Sequence, residues 1–457
     1  MTRVAVVGAG PAGFYATDRL LRTGGIDVEL FDRLPTPWGL VRAGVAPDHP
    51  KIKSVSRVFE KTAKLEGFRF HGNLEVGSDI THDELLAHHD AVIYTYGAAL
   101  DRRLGIPGEE LPGSVPATEF VAWYNGHPDA VHHEFDLRGP RAVVIGNGNV
   151  AIDVARMLVL TGDELAVTDT ADEAIAALAA SGVEEVVVLG RRGPAQAAYT
   201  TPELRELGEL VAADVIVDPA DVELDPVSAA WLETDDADRT ARDNVELVRT
   251  YAARPPHGHP RRVVLRFLAS PVEIVGTDRV EGVRIVHNEL LADEHGHLRA
   301  HHTDVEETID CSLVLRSVGY RGAGIEGLPF DERSGTIVND GGRVLREAGG
   351  APLPGVYTAG WIKRGPSGVI GTNKKCAHET VDLLLQDLEA GRLPAPEHDA
   401  TALDALLDAR GATRIDYAAW ERIDEHERAE GEAQGRPRVK LTHRDHLLDH
   451  ARGVGTP

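Results

Sequence analysis

Cysteine is nearly absent: the 457 residues hold two, Cys311 and Cys376. Two thiols cannot build a disulfide framework or a four-cysteine zinc centre, and this usage suits a reducing compartment. Positive charge is also in short supply. Forty-eight Lys and Arg stand against 73 Asp and Glu, a net charge of −25 with His neutral. A field of that sign repels phosphate backbones and anionic lipid, so a general nucleic-acid or membrane-surface binder is disfavoured. No apolar run reaches the ~18 residues that a membrane-crossing helix needs. The N-terminus does not read as a leader either. A strand pattern begins at Arg3, with neither an apolar h-region nor an Arg- and Ser-rich transit segment. A cytoplasmic protein is the expectation. Core material is ample, with 42% hydrophobic residues, 47 Gly and 26 Pro. At ~150 residues per domain, the length predicts two or three domains.

Apolar runs at 4–7, 28–31, 91–94, 142–145, 186–189, 263–267 and 313–315 alternate with helix-like stretches. That alternation predicts an α/β protein with mainly parallel sheets. Residues 169–181 are Ala-rich with acids at the start, and predict a helix. Residues 211–240 are acidic without clear periodicity and read as a surface excursion. Pro394-Ala395-Pro396 opens a helical tail that is expected to end in a short frayed segment. One long-range echo stands out: glycine-rich turns begin at Gly8 and at Gly146.

The first turn is Val4-Ala5-Val6-Val7-Gly8-Ala9-Gly10-Pro11-Ala12-Gly13. Gly8 permits the tight turn, Gly10 lets a pyrophosphate approach the backbone, and Gly13 lets helix pack on strand. The freed N–H groups and the helix dipole then face the phosphates. A second strand ends at Asp32, placed to accept the ribose hydroxyls of an adenosine. Strand, turn, helix, strand and acid in that order make a strong signal.

The second turn is Ala142-Val143-Val144-Ile145-Gly146-Asn147-Gly148-Asn149-Val150-Ala151, with Ala in the permitted third place. Its next strand ends in Gly190-Arg191-Arg192 instead of an acid. Two guanidiniums at the ribose position suit a 2′-phosphate and so favour NADP(H) over NAD(H). Two dinucleotide folds imply two dinucleotides, one FAD and the other NADPH, because hydride chemistry needs a donor and an acceptor.

Several further stretches are specific. They are Pro37-Trp38-Gly39-Leu40-Val41-Arg42 with Gly44-Val45-Ala46-Pro47-Asp48-His49-Pro50, Gly72-Asn73-Leu74-Glu75-Val76-Gly77, Arg191-Arg192-Gly193-Pro194, residues 360–371 from Gly360-Trp361, and Gly435-Arg436-Pro437-Arg438. Through them nearly the whole chain resembles the adrenodoxin-reductase-type NADPH–ferredoxin reductases. The resemblance implies two Rossmann-like domains in a glutathione-reductase-like architecture. An NADP domain at 109–323 is inserted in a discontinuous FAD domain, 1–108 and 324–457. It also implies FAD contacts at Ala12, Asp32, Leu40, Val76, Trp361, Gly368, Val369 and Ile370. NADPH contacts follow at Arg102, the turn from Asn147 through Gly148 and Asn149 to Val150, Arg191, Arg192, Glu203 and Gly368. Trp361 stands where many two-dinucleotide flavoproteins carry Asp, which narrows the resemblance to this family.

Hydride transfer between nicotinamide and flavin needs alignment more than acid–base groups. No indispensable base is expected, and His49, Asp153, Glu203 and Glu206 are the candidates to position the nicotinamide. Disulfide and thioredoxin reductases need a Cys pair, and peroxide- or oxygen-reducing relatives often use a reactive Cys in the N-terminal domain. The sequence has neither. Electrons are expected to leave the flavin edge one at a time for a ferredoxin-type iron–sulfur protein. A flavin-linked diaphorase, transhydrogenase or monooxygenase is the alternative enzyme, and a non-catalytic redox sensor the alternative binding module. No metal site is expected, although His443, His446 and His450 share a helix face by spacing. Docking of an acidic ferredoxin requires local positive charge. Two basic islands offer it. Arg42, Lys51, Lys53, Arg57, Lys61 and Lys64 form the first, and Arg239, Arg242, Arg249, Arg254, Arg261, Arg262 and Arg266 the second.

Overall fold

The computed structural model describes residues 1–294 and 298–453. They fold as two compact units. The first comprises residues 1–45, 49–102 and 319 onward, and the second residues 46–48 and 103–318.

Each unit is built on a mainly parallel sheet with an apolar cluster on either face. In the first unit, strand Thr2–Val7 lies between Ile26–Phe31 and Ala91–Tyr94, both parallel to it. Val4, Val6, Val28 and Leu30 are fully buried. Burying such side chains contributes about 1.5–3 kcal/mol each, which is why these runs are continuous and not alternating. In the second unit, Arg141–Ile145 lies between Leu313–Arg316 and Glu185–Leu189, again parallel. Both glycine turns therefore follow a central strand and open a helix, Pro11–Thr23 in one unit and Asn149–Val159 in the other.

The expected 169–181 helix is present as Asp172–Ala179. The acidic stretch 211–240 is more ordered than expected. Ala213–Val217 is the edge strand of the second sheet, parallel to Arg261–Arg266. Asp214, one of its acids, accepts the N–H groups of His257, Gly258 and His259 at 2.9, 2.9 and 3.0 Å. Its charge thus serves a turn, which composition alone hides. The second unit also carries a separate antiparallel sheet of Ala269–Val275, Gly282–Ala292 and Leu298–Asp310. The C-terminal tail forms helices Ala402–Ala409, Tyr417–Ala433 and Arg444–Ala451. The expected frayed end lies outside the described residues.

The units divide after Arg102 and after Val318, a few residues before the expected boundaries at 108 and 323. The reason lies in the crossing strands. Leu100–Asp101 pairs with Tyr320–Arg321, and the Arg102 N–H donates to the Gly319 carbonyl at 3.0 Å. Pro107 already belongs to the second unit, where its carbonyl accepts the Ile274 N–H at 2.9 Å.

Candidate functional site

In the first glycine turn the three glycines have separable physical jobs. Gly8 holds φ +106°, and a Cβ there would lie 2.6 Å from the Tyr96 backbone. A Cβ on Gly13 would overlap the Gly8 carbonyl oxygen, so strand and helix could not approach. A Cβ on Gly10 would meet nothing within 4 Å. Gly10 is therefore free of any demand from the fold itself, and its open side is the approach a phosphate needs.

Asp32 ends the neighbouring strand. Its Oδ2 accepts the Ala9 N–H at 2.8 Å and its Oδ1 the Leu34 N–H at 2.9 Å. Burial pushes its carboxyl up from the usual range, against those N–H groups and the charges of Arg33 and Arg444. Each oxygen keeps lone pairs for a hydroxyl donor. The Trp38-Gly39 turn packs on the same loop. Trp38 sits at φ +84° and its N–H donates to the Ala9 carbonyl at 2.8 Å. Gly39, at φ +50°, comes so close that its Cβ would be 2.9 Å from the Gly10 Cα. Leu40 follows as an exposed apolar side chain, while Val76 is buried in the cluster that holds Val7 and Phe31.

The 360–371 segment meets this turn too. A Cβ on Gly360, at φ +77°, would lie 2.7 Å from the Ala12 Cβ. The Trp361 ring lies 5.4 Å from that of Tyr320, and its buried Nε1 has no hydrogen-bond partner among the described residues. A buried indole donor left over next to Gly360 fits an acceptor-rich ring system. Gly368, at φ +78°, and Val369, 57% exposed, lead into the 20-residue helix Ile370–Glu389. Arg364 braces this loop by donating to Asn373 Oδ1 at 2.8 Å.

The second turn repeats the logic. Gly146 has φ +125° and its Cβ would overlap the Ser317 carbonyl oxygen, whereas Gly148 has nothing within 4 Å. Asn149 Oδ1 accepts the Thr200 N–H at 2.8 Å, and the Asn147 carbonyl accepts the Ala198 N–H at 3.1 Å. Two of the expected nucleotide contacts therefore also hang helix Thr201–Leu207, with Glu203 and Glu206, from the turn. Val150 is partly buried beside the core of that unit.

Arg191 is exposed and Arg192 half-buried. The Arg191 carbonyl accepts from Asn288 Nδ2 at 2.8 Å, so the antiparallel sheet supports the pair. Burial, then the nearby charges of Arg191 and Arg299, pull the Arg192 pKa down. A third guanidinium thus joins the two read from sequence. Arg299 lies on strand Leu298–Asp310, 68% exposed, with Asp293 at 3.3 Å. It is over a hundred residues from Arg191, and no motif points to it.

The structure brings Asp153 and Glu206 together around a residue the sequence reading passed over. Arg156 is 4% exposed. It donates to Asp48 from Nε at 2.6 Å and Nη2 at 3.0 Å, and from Nη2 to Asp153 at 2.9 Å. Glu206 lies 3.4 Å from Nη1. Burial lowers the Arg156 pKa, but the Asp48 hydrogen bond and the charges of Asp153, Asp48 and Glu206 outweigh it. The spacing signal was present, since Arg156 is three residues beyond Asp153 on one helix face. His49 is buried, and its carbonyl caps Pro50–Lys53. Arg102 donates from Nε to the Tyr320 carbonyl at 3.3 Å. His450 stacks on His426 with ring centres 4.0 Å apart, while His443 and His446 face each other at 5.2 Å.

The basic islands are smaller than their sequence counts. Arg42 is buried and paired with Glu427 at 2.5 and 2.7 Å, so it leaves the first island. Lys51, Arg57, Lys61 and Lys64 remain exposed. In the second island, Arg262 pairs with Glu185 and Arg266 with Glu307, and Arg261 donates to the Leu160 carbonyl. These three sit on or beside a sheet strand, where neighbouring strands supply carboxylates. Arg239, Arg242, Arg249 and Arg254 remain exposed at helix Arg239–Ala253.

Two glycine-turn nucleotide folds in one chain define a pyridine-nucleotide oxidoreductase of the two-dinucleotide class. Accordingly, the pyridine nucleotide-disulphide oxidoreductase family matches residues 2–187. The chain is 50% identical over 458 residues to NADPH-ferredoxin reductase FprA of Mycobacterium tuberculosis, covering 97% of this chain and 98% of that one. It is 39% identical over 456 residues to the mitochondrial NADPH:adrenodoxin oxidoreductase of Arabidopsis thaliana, with 97% and 94% covered. The structure of M. tuberculosis FprA in complex with NADPH superposes with a TM-score of 0.93 at 48% identity, covering 99% of this chain and all of that one. The chain belongs to the FprA-type NADPH-ferredoxin reductase family.

Proposed function

We propose that this protein oxidises NADPH through FAD and passes electrons singly to a ferredoxin-type iron–sulfur protein. The observation that carries the reading is the pairing of two open glycine cradles with opposite strand-end charges, Asp32 in one unit and Arg191-Arg192 in the other. An acid suits ribose hydroxyls, and clustered guanidiniums suit a 2′-phosphate. The first unit is therefore the FAD domain and the second the NADP domain.

In the FAD domain, Gly8, Gly10, Ala12 and Gly13 give the pyrophosphate its turn and helix terminus. Asp32 takes the ribose, and Leu40, Val76, Trp361, Gly368, Val369 and Ile370 line the rest. In the NADP domain, the turn from Asn147 to Val150 takes the pyrophosphate, Arg191 and Arg192 the adenosine end, and Glu203 belongs with the groups that position the nicotinamide. Arg102 and Gly368 complete the nucleotide contacts. FAD, when bound, supplies the conversion of a two-electron hydride into two one-electron transfers. The protein supplies alignment. Asp153 and Glu206 are held by Arg156, so they are oriented as nicotinamide-positioning groups and not as proton shuttles. His49 shares that positioning role. The acceptor protein docks on the exposed cations, Lys51, Arg57, Lys61 and Lys64 or those of helix Arg239–Ala253. Both cysteines are free and buried, as a cytoplasmic setting suits.

Stopped-flow mixing with NADPH tests the first half-reaction, and reoxidation by a panel of ferredoxins the second. Rapid flavin bleaching followed by ferredoxin reduction is the expected result. Bleaching with no ferredoxin reduction, and fast quinone reduction instead, would make it a diaphorase. Without bleaching the protein is a sensor.

A further inference from the structure

Resting on the assignment of FAD to the first unit, we infer that Arg444, in the C-terminal helix Arg444–Ala451, is a positioning residue for the adenosine half of that cofactor. The geometry runs through two loops. Arg444 Nη1 donates to the Asn73 side-chain oxygen at 2.7 Å and to the Arg33 carbonyl at 3.1 Å. Asn73, at φ +56°, is itself fixed. Its side-chain Nδ2 donates to the Thr413 carbonyl at 2.8 Å, and its N–H donates to the Leu34 carbonyl at 2.9 Å. The next residue, Leu74, donates to the Asp32 carbonyl at 2.9 Å.

One guanidinium therefore ties the loop that carries Asp32 to the loop that follows strand Phe68–His71. The loop segments it joins lie at the end of strand Ile26–Phe31, where the ribose acid must be held. The distance in sequence is over 400 residues, and the link uses a residue outside every glycine motif.

Its charge adds a second effect. The charged groups facing Asp32 are Arg33 beside it and Arg444 from the helix, with the Ala9 and Leu34 N–H groups on its oxygens. Ionised Asp32 is the form that accepts two hydroxyl donors. Retention of the adenosine half is then present above the Asp32 pKa and lost as pH falls through it. Burial already moves that pKa up, and removing Arg444 moves it further. The acid limb of cofactor retention should therefore shift to higher pH in a variant without this charge.

The test uses purified holoprotein. FAD release after dilution is followed by flavin fluorescence across pH 4.5–8, with far-UV circular dichroism as the check on folding. Arg444→Ala is expected to release FAD about tenfold faster at pH 7, the scale of a lost charge-assisted hydrogen bond. Its acid limb should move up, and Arg444→Lys should keep the wild-type limb. Arg444→Gln keeps a donor without charge, so it should release FAD less rapidly than Ala yet show the moved limb. Unchanged release in Arg444→Ala would overturn the inference. Faster release with an unmoved acid limb would assign Arg444 to helix packing alone and overturn it too. Wild-type protein that holds no FAD would instead be the failure of the cofactor assignment.

Discussion

The two glycine turns solve one problem with different third residues. In the first, Gly13 cannot carry a Cβ because the Gly8 carbonyl occupies that space. In the second, Ala151 stands at the same place, fully buried, so the helix sits far enough off to admit a methyl group. The first position shows no such latitude and the second is left open. Gly8 and Gly146 share positive φ and backbone overlap, and Gly10 and Gly148 share open space. The comparison teaches that turn geometry is a strict demand of the fold, that the second position is left open by it, and that the helix–strand distance is negotiable. The strands beyond the turns then diverge, one ending in a carboxylate and the other in a guanidinium cluster.

The largest test of that comparison swaps alanine into one strict and one open position. Gly146→Ala should fail to fold or lose several kcal/mol, since both φ and the Ser317 carbonyl oppose it. Gly10→Ala should be isolated without FAD and yet keep its unfolding midpoint within the shift for about 1 kcal/mol of the FAD-free wild type. Chemical denaturation and cofactor content read the two. A stable Gly146→Ala, or a yellow Gly10→Ala, would break the assignment of separate jobs.

Arg156→Met comes next in size. It leaves Asp48 and Asp153 without their buried counter-charge, which costs about 3–5 kcal/mol. Denaturant midpoints will show it. Glu206→Gln should leave stability nearly unchanged, because Glu206 is half-exposed and lies 3.4 Å away, but should slow flavin reduction by NADPH.

The opposite strand ends are tested by nucleotide choice. Arg191→Ala or Arg192→Ala should weaken NADPH by about 10- to 100-fold while NADH is nearly indifferent. Arg299→Ala should cost less, about threefold to tenfold, because the side chain is largely exposed and shared with Asp293. Equal losses for NADPH and NADH would make the pair structural. The smallest effect belongs to the surface. Ferredoxin-dependent turnover should fall with salt as the Debye length shrinks from ~10 Å at 0.1 M, and quinone reduction should change much less. Charge reversal at Arg239 and Arg242, set against reversal at Lys61 and Lys64, will show which unit presents the docking face.

Much of this was legible early because it is local. A strand, three glycines, a helix and an acid lie within 32 residues, and each constraint acts on near neighbours. The same holds for Gly146 to Ala151. The edge strand Ala213–Val217 was missed because its acid is spent on a turn over 40 residues away. Counting charges misled at Arg42 for a related reason: its partner Glu427 is 385 residues distant and fully buried.

Composition and local pattern thus determined the fold class, the two nucleotide turns and the opposite charges that end their strands. These follow from backbone sterics and from the period of apolar residues, both readable over a few positions. The tertiary structure decided what the remaining charges do. Arg156 gathers three carboxylates, Arg299 joins Arg191 and Arg192, Arg444 ties two loops beside Asp32, and Arg42 leaves the surface. An ion pair is a property of two positions in space, and beyond one helical turn sequence separation carries no information about that distance.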